Sequence, residues 1–192
     1  MRGARHAELR LRGGEGWGQL PSIQIAHARA SLAMSEFLIR QGRADDARAI
    51  ADVHLDSRRE AMPWLPVLHS RDETIDYFAG HVLRDEKVFV AEVNRQVAGF
   101  LALEGDRIDH LYVAPAFQSR GIGDRLLAIA KGSRPEGLTL WTFQRNARAR
   151  RFYEARGFVA VRFSDGSNNE EREPDVLYAW RRGEPARDRP RR

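Results

Sequence analysis

Between residues 34 and 182 the hydrophobic positions switch between a strand rhythm of two and a helix rhythm of three to four. Phe37-Leu38-Ile39-Arg40 reads as a first strand. Asp45 or Asp46 then opens a helix whose apolar stripe is Ala49, Ile50, Val53 and Leu55. Pro63 and Pro66 interrupt the chain around Trp64 and Leu65, and a second helix is expected from about Asp72 through Ile75, Phe78 and Val82. Strands Val88–Val93 and Val97–Leu103 follow, joined by Asn94-Arg95-Gln96 as a short hairpin connection. Strand Arg107–Val113 runs through Pro115 to a helix from near Gly121 to Lys131. A strand Leu138–Phe143, a helix Ala147–Arg156 and closing strands Phe158–Phe163 and Val176–Trp180 complete the order. The pattern predicts an α/β domain, antiparallel at first and crossing over through helices later.

Composition narrows the class. The 192 residues suit one domain with a sizeable core. No apolar run approaches the ~18 residues that span a bilayer, and the N-terminus lacks the apolar stretch of a secretory signal. With no cysteine, disulfides and thiolate metal sites are excluded, and a cytoplasmic setting is expected. The histidines show no ligand spacing, so no metal is expected. The net charge of +5 points to an acidic partner until it is located. Residues 1–33 hold five arginines against Glu8 and Glu15, and residues 183–192 hold four against Glu184 and Asp188. The remaining body has 23 basic and 23 acidic residues. A neutral body argues against nucleic acid or membrane as a partner.

The ends read differently from the body. Residues 1–33 mix Arg, Ala and closely spaced glycines at 13, 14, 16 and 18 and are expected to be disordered. Met34, just before the first strand, is the expected true start, a transit peptide being the lesser alternative. The domain is expected to span 34–182, followed by a disordered basic tail over 183–192.

The stretch Ile108–Leu127, IDHLYVAPAFQSRGIGDRLL, carries the candidate chemistry. A strand runs into a glycine-punctuated loop that opens an apolar helix. A helix start offers unpaired N–H groups and the positive end of a dipole to an anion. Gly121 and Gly123 lack a Cβ, which lets a ligand approach the main chain. No G-x-x-x-x-G-K-[ST] is present, and Leu126 stands where a dinucleotide fingerprint needs its third glycine.

Gln118-Ser119-Arg120-Gly121-Ile122-Gly123 resembles the Q/R-x-x-G-x-G/A acyl-CoA pyrophosphate loop of the GCN5-related N-acetyltransferases. Asn146 through Phe158, NARARRFYEARGF, is similar to that family's N-x-x-A-x-x-F-Y-x-x-x-G-F segment, and the two motifs lie 28 residues apart. The resemblance covers roughly residues 36–182. Read as helix, Asn146 and Tyr153 are two turns apart on one face with Ala149 between them.

The resemblance implies the acyl-CoA N-acyltransferase fold: a mixed, mostly antiparallel twisted sheet with splayed central strands and about four flanking helices. It implies acetyl-CoA as co-substrate, its pyrophosphate on Gln118, Ser119, Arg120, Gly121, Ile122, Gly123 and Asp124, with Asn146 and Tyr153 completing the cofactor site. The pantetheine arm would pair with Leu111, Tyr112 and Val113, and a main-chain N–H near Tyr112 would polarise the thioester. Tyr153 would protonate the departing thiolate while a primary amine of a small molecule, peptide or protein attacks directly. The general base is left open between Glu104, Asp109 and His110. Strand alternation groups Asp109 with Leu111 and Val113, and His110 with Tyr112. Trp64, Leu65, His69 and His110 are candidates for the acceptor pocket, while Glu170, Glu171 and Glu173 read as a solvated loop rather than an amine attractant. A monomer or homodimer is expected. A non-catalytic acyl-CoA-binding regulatory module is the alternative.

Overall fold

The computed structural model describes residues 37–183. The readings made on residues 1–33, on Met34 and on the tail from 184 lie outside them. Strands β1 (Leu38–Gln41), β2 (Lys87–Val93), β3 (Gln96–Glu104), β4 (Arg107–Val113), β5 (Leu138–Phe143), β6 (Val159–Phe163) and β7 (Asp175–Trp180) form one sheet in the order β1-β2-β3-β4-β5-β7-β6. Every neighbouring pair is antiparallel except β4 and β5. The helices are α1 (Ala47–Ala61), α2 (Arg71–Tyr77), α3 (Ile122–Ser133) and α4 (Ala147–Glu154). A π-helical stretch, Phe78–Val82, and a last turn, Leu83–Asp85, prolong α2. Among the described residues no helix is long and apolar enough to cross a membrane.

Local chemistry explains the boundaries. Ser70 caps α2 in a reciprocal box with Glu73. The β2–β3 hairpin turns on Asn94 and Arg95, both at positive φ (49° and 66°), the backbone that a two-residue turn of type I′ needs. Gln96 therefore belongs to β3 and not to the connection. Asp46 serves more than a helix start: it is buried and takes two hydrogen bonds from Arg40 of β1 and one from the Arg43 amide.

The sheet is buried on both sides. Ile50, Val53, Phe78, Val88, Val90, Phe100 and Ala102 form the core under α1 and α2. Leu101, Leu103, Ile108, Leu126, Leu127, Tyr153 and Tyr178 form the core under α3 and α4. Leu55, expected in the α1 stripe, lies off this core, whereas Ala47, Ala51 and Ser57 are buried. Two-sided burial explains why residues 98–103 of β3 read as an apolar run instead of an alternation.

One irregularity corrects the face assignment in β4. Ala102 pairs with His110 and Leu103 with Ile108, so Asp109 is the extra residue of a β-bulge. Ile108 consequently shares the α3 side with Leu111 and Val113. Asp109 is not on that face; its carboxylate lies beside His110.

Candidate active site

The site begins where the sheet comes apart. β4 and β5 pair only at Arg107↔Thr139 and Ile108↔Leu140, leaving the rest of β4 with an open edge toward β5. The Tyr112 carbonyl points the other way, toward β3, where it lies 2.8 Å from the position a Cβ on Gly99 would take. The Val113 carbonyl faces the opening and accepts hydrogen bonds from Ser57 Oγ (3.0 Å) and Gln118 Nε2 (3.1 Å). Strand alternation therefore turns the main-chain groups of Leu111 and Val113 into the gap. Of the main-chain amides near Tyr112, those of its two neighbours, and not its own, face the opening.

The glycine loop continues from this edge. Ser119 and Gly121 both hold positive φ (61° and 80°), and a non-glycine residue kept there signals a constrained loop. Gly121 caps α3 without any side-chain cap, so the first-turn amides remain available to an anion. A Cβ at Gly121 would meet nothing within 4 Å; the residue serves its φ and an open approach. Gly123 has a different reason. Its missing Cβ would lie 3.3 Å from the Phe152 ring, so this glycine lets α3 and α4 pack closely.

A cleft of about 360 Å³ joins these parts. Leu111, Tyr112, Val113, Gln118, Ser119, Gly121, Ile122, Gly123, Asp124, Asn146 and Tyr153 all line it, so every expected donor-side residue but one meets here. The exception is Arg120, whose guanidinium lies 5.4 Å over the Phe117 ring. Sequence reading missed Ser57, Phe117, Arg148, Phe152 and Arg156 in this lining. Arg156 bonds Asp124 at 2.5 Å and stacks 3.7 Å from the Phe152 centroid. Its four-residue spacing from Phe152 was a usable signal; Ser57, on a distant helix, gave none.

In α4 the expected pairing of Asn146 with Tyr153 needs correction. Asn146 precedes the helix and its side chain accepts from the Ala149 amide, so it is the N-cap (φ −76°, ψ 69°). It lines the cleft as a cap and not as a residue one face along. Tyr153 is buried among Phe152, Phe158 and Tyr178. Burial, followed by the nearby Tyr112, raises its phenol pKa well above the ordinary value. At neutral pH the hydroxyl is therefore protonated, the form in which it can act as a proton donor.

A second cavity, of about 650 Å³, opens on the other side of α1 and shares Met62 with the first. His54, Leu55, Arg58, Leu65, His69, Tyr77, His110, Glu170 and Glu171 contribute to its wall. Trp64 does not line it: the Arg145 guanidinium covers its ring at 4.7 Å. The acidic run is more than a solvated loop. Glu171 pairs with Arg58 at 2.6 Å and Glu170 with His69 at 2.9 Å, binding the β6–β7 connection to α1 and to the segment after it. Glu173 stands 3.6 Å from Arg145.

The three candidate bases separate clearly. Glu104 ends β3 on the surface, 60% exposed and paired with Arg107, and lines neither cavity. Asp109 and His110 are largely buried neighbours, Oδ2 to Nε2 3.1 Å. His54, unremarked in the sequence, packs edge-on to His110 at 5.7 Å and to Tyr112 at 4.8 Å. Burial, then His110, pulls its pKa down to about 3, which keeps it neutral. Glu86 is pushed up to about 7 by burial, then by Asp109 and Glu104. Among the described residues no cluster of three or more His, Asp or Glu side chains could hold a metal.

Comparison with known proteins agrees with this geometry. A family model for the acetyltransferase (GNAT) domain matches residues 84–160. A peptidyl-lysine N-acetyltransferase of Escherichia coli, YiaC, is 30% identical over 125 residues, 65% of this chain and 84% of that protein. The apo form of YjaB from Escherichia coli superposes with a TM-score of 0.64 at 26% identity, covering 75% of this chain and 97% of the other. The PaiA N-acetyltransferase of Thermoplasma acidophilum, in complex with coenzyme A, gives a TM-score of 0.59 over 76% of this chain and 98% of its own. At 18% identity that last likeness speaks for the fold alone. The mixed sheet, its parting at β4 and β5, and these relatives lead to one conclusion: the chain belongs to the GCN5-related N-acetyltransferase family and is an acyltransferase of its fold.

Proposed function

We propose that the protein transfers the acetyl group of acetyl-CoA to a primary amine of a small molecule, peptide or protein by direct attack. One observation carries this reading: a single cleft connects the open edge of β4, the uncapped start of α3 and the Tyr153 side chain. The donor fits that cleft in kind. Leu111 and Val113 offer main-chain partners to an extended amide-bearing arm, the α3 amides offer donors to a pyrophosphate, and Gly121 leaves the approach open. Acetyl-CoA supplies an activated thioester.

The chain's own residues then have distinct tasks. An amide of the β4 edge polarises the thioester carbonyl and steadies the charge that develops on its oxygen. Tyr153 gives its phenolic proton to the departing sulfur. The second cavity receives the amine, and Met62 marks where the two spaces meet. With no cysteine in the chain, direct attack needs no thiol to carry the acyl group. The lysine side chain acetylated by YiaC is one candidate acceptor; the size of the cavity also suits a free small amine.

An acceptor screen of the full chain with acetyl-CoA, read by thiol release, tests the proposal. Lysine-containing peptides, free amino acids and small aliphatic and aromatic amines are the probes. CoA release with at least one amine, and its N-acetylated product by mass, is the expected result. Acetyl-CoA binding without release for any of them would favour the regulatory-module reading.

A further inference from the structure

We propose that His110 is the base that takes the acceptor's ammonium proton, and that Asp109, set beside it by the β4 bulge, positions its ring for that task. The assignment rests on the N-acetyltransferase reading and deepens it.

Position comes first. His110 lines the acceptor cavity, and Tyr112, two residues on, lines the donor cleft. The residue therefore stands where an amine would approach the thioester. Its side chain is 12% exposed and that of Asp109 20%, so little water competes for either.

The bulge makes the pair. In an unbroken strand, residues 109 and 110 would point to opposite faces. The extra residue at Asp109 brings both side chains to the α1–α2 side, with Oδ2 3.1 Å from Nε2 of His110 and Oδ1 2.8 Å from Arg107. The Nε2 contact lacks hydrogen-bond alignment, and a small rotation of the ring converts it to N–H donation. With Nε2 carrying hydrogen toward the carboxylate, Nδ1 keeps the free lone pair. His110 foremost, with Arg107 beside it, holds the Asp109 carboxyl below its usual range against its burial, so the partner is anionic.

A packed core histidine is the plain alternative, and two facts weigh against it. The ring forms part of a cavity wall, and its buried Nε2 has no aligned partner; a leucine or phenylalanine would fill the same space without that cost. His69, also in the cavity wall, is half exposed and tied to Glu170, and the groups packed against His110 come from α1, α2, β3 and β4. α1 presents His54, kept neutral. α2 and its π-helical extension present Tyr77, whose pKa is raised, and Phe78. β3 presents Phe100, and β4 itself presents Asp109 and Tyr112. The carboxylates of the cavity are engaged elsewhere: Glu73 with Ser70, Glu170 with His69, Glu171 with Arg58.

The ammonium N–H bond breaks, His110 Nδ1 gains that proton, and the freed lone pair forms the N–C bond to the acetyl carbon. As the C–S bond breaks, Tyr153 protonates the sulfur and the nitrogen, now cationic, sheds its second proton to solvent to leave the neutral amide. Solvent then returns a proton to Tyr153 and takes one from His110, so one proton is released overall.

The test uses the full chain with acetyl-CoA and the amine giving the highest turnover in the acceptor screen, across a pH series. His110→Gln should lower kcat/KM for the amine about a hundredfold at about pH 7. The deficit should shrink as rising pH supplies free amine from solution. Asp109→Asn should lower kcat/KM about tenfold, with a deficit that likewise shrinks as pH rises, because the ring loses the carboxylate that orients it. Acetyl-CoA affinity should stay within about twofold in both, which shows a folded donor cleft. A His110→Gln variant with at least half the wild-type kcat/KM, a deficit independent of pH, or an Asp109→Asn variant that matches the wild type would overturn the assignment. A wild-type protein that turns over no amine overturns the N-acetyltransferase reading itself, and this assignment with it.

Discussion

The proposed donor cleft and the proposed acceptor cavity share Met62 in their walls yet are built on opposite plans. The donor side depends on main chain: a strand edge freed where β4 leaves β5, and a helix start whose glycine holds positive φ. Its lining comes mostly from two short stretches, residues 111–124 and 146–156. The acceptor side is made of side chains from α1, the segment after it, α2, β4 and the β6–β7 connection, held together by ion pairs. A backbone site constrains sequence only where sterics demand it, so one loop pattern serves one donor. A side-chain site changes with every substitution, so acceptors can diverge on a common frame.

The sharpest way to break this comparison is on the donor side. Tyr153→Phe should cut kcat by roughly two orders of magnitude while acetyl-CoA affinity by calorimetry stays unchanged, since the amides that hold the donor remain. Unchanged turnover would remove Tyr153 as the acid.

His54 probes the acceptor side through stability. Its pKa is pulled from the ordinary 6.5 to about 3 in the folded state. Between those values the unfolded chain binds more protons, so stability is full above about pH 6.5 and falls as pH drops. The loss from this one group should reach about 3 kcal/mol by about pH 4. Urea unfolding at neutral and acid pH should show His54→Phe losing less stability than wild type on acidification. Equal losses would mean that His54 is not held neutral. Glu86 acts in the opposite sense: its raised pKa, about 7, makes the folded state the better proton binder, a contribution that fades as pH rises from about 4 to 7.

Gly121→Ala asks whether the loop backbone holds the donor. The position has room for a methyl group but a φ of +80°, costing an L-residue about 1 kcal/mol or more. Acetyl-CoA should bind roughly fivefold more weakly, and an unchanged Kd would dissociate the loop from donor binding. The smallest effect is expected at Glu104→Gln. That carboxylate is exposed and bound to Arg107, and such pairs contribute about 0–1 kcal/mol; turnover should stay within about twofold. A large loss there would return the base to the end of β3.

The two plans also explain how far the sequence could be read. Gln118 to Asp124 and Asn146 to Tyr153 were legible because local rules, a helix start and fixed spacings, act within a few residues. Arg120 illustrates the limit, since a loop pattern cannot tell which side chain turns toward Phe117. Gly123 was legible as a constraint but not in its cause, which is Phe152 on another helix. Trp64 looked like a pocket wall beside two prolines, and its place against Arg145 depends on a residue 81 positions away. His54 gave no signal, because its neighbours His110 and Tyr112 come from a different element.

By itself, then, the chain's order of apolar runs determined an α/β sheet crossing over through helices, and its two motifs marked the proposed donor side, because periodicity and glycine placement are short-range physics. The parting of β4 from β5 was expected through the family resemblance but not from periodicity, and where it begins, the β4 bulge and the company kept by His110 were decided only in three dimensions. A single inserted residue in one strand reverses which face Asp109 occupies, and no local pattern records where a partner strand will stop pairing.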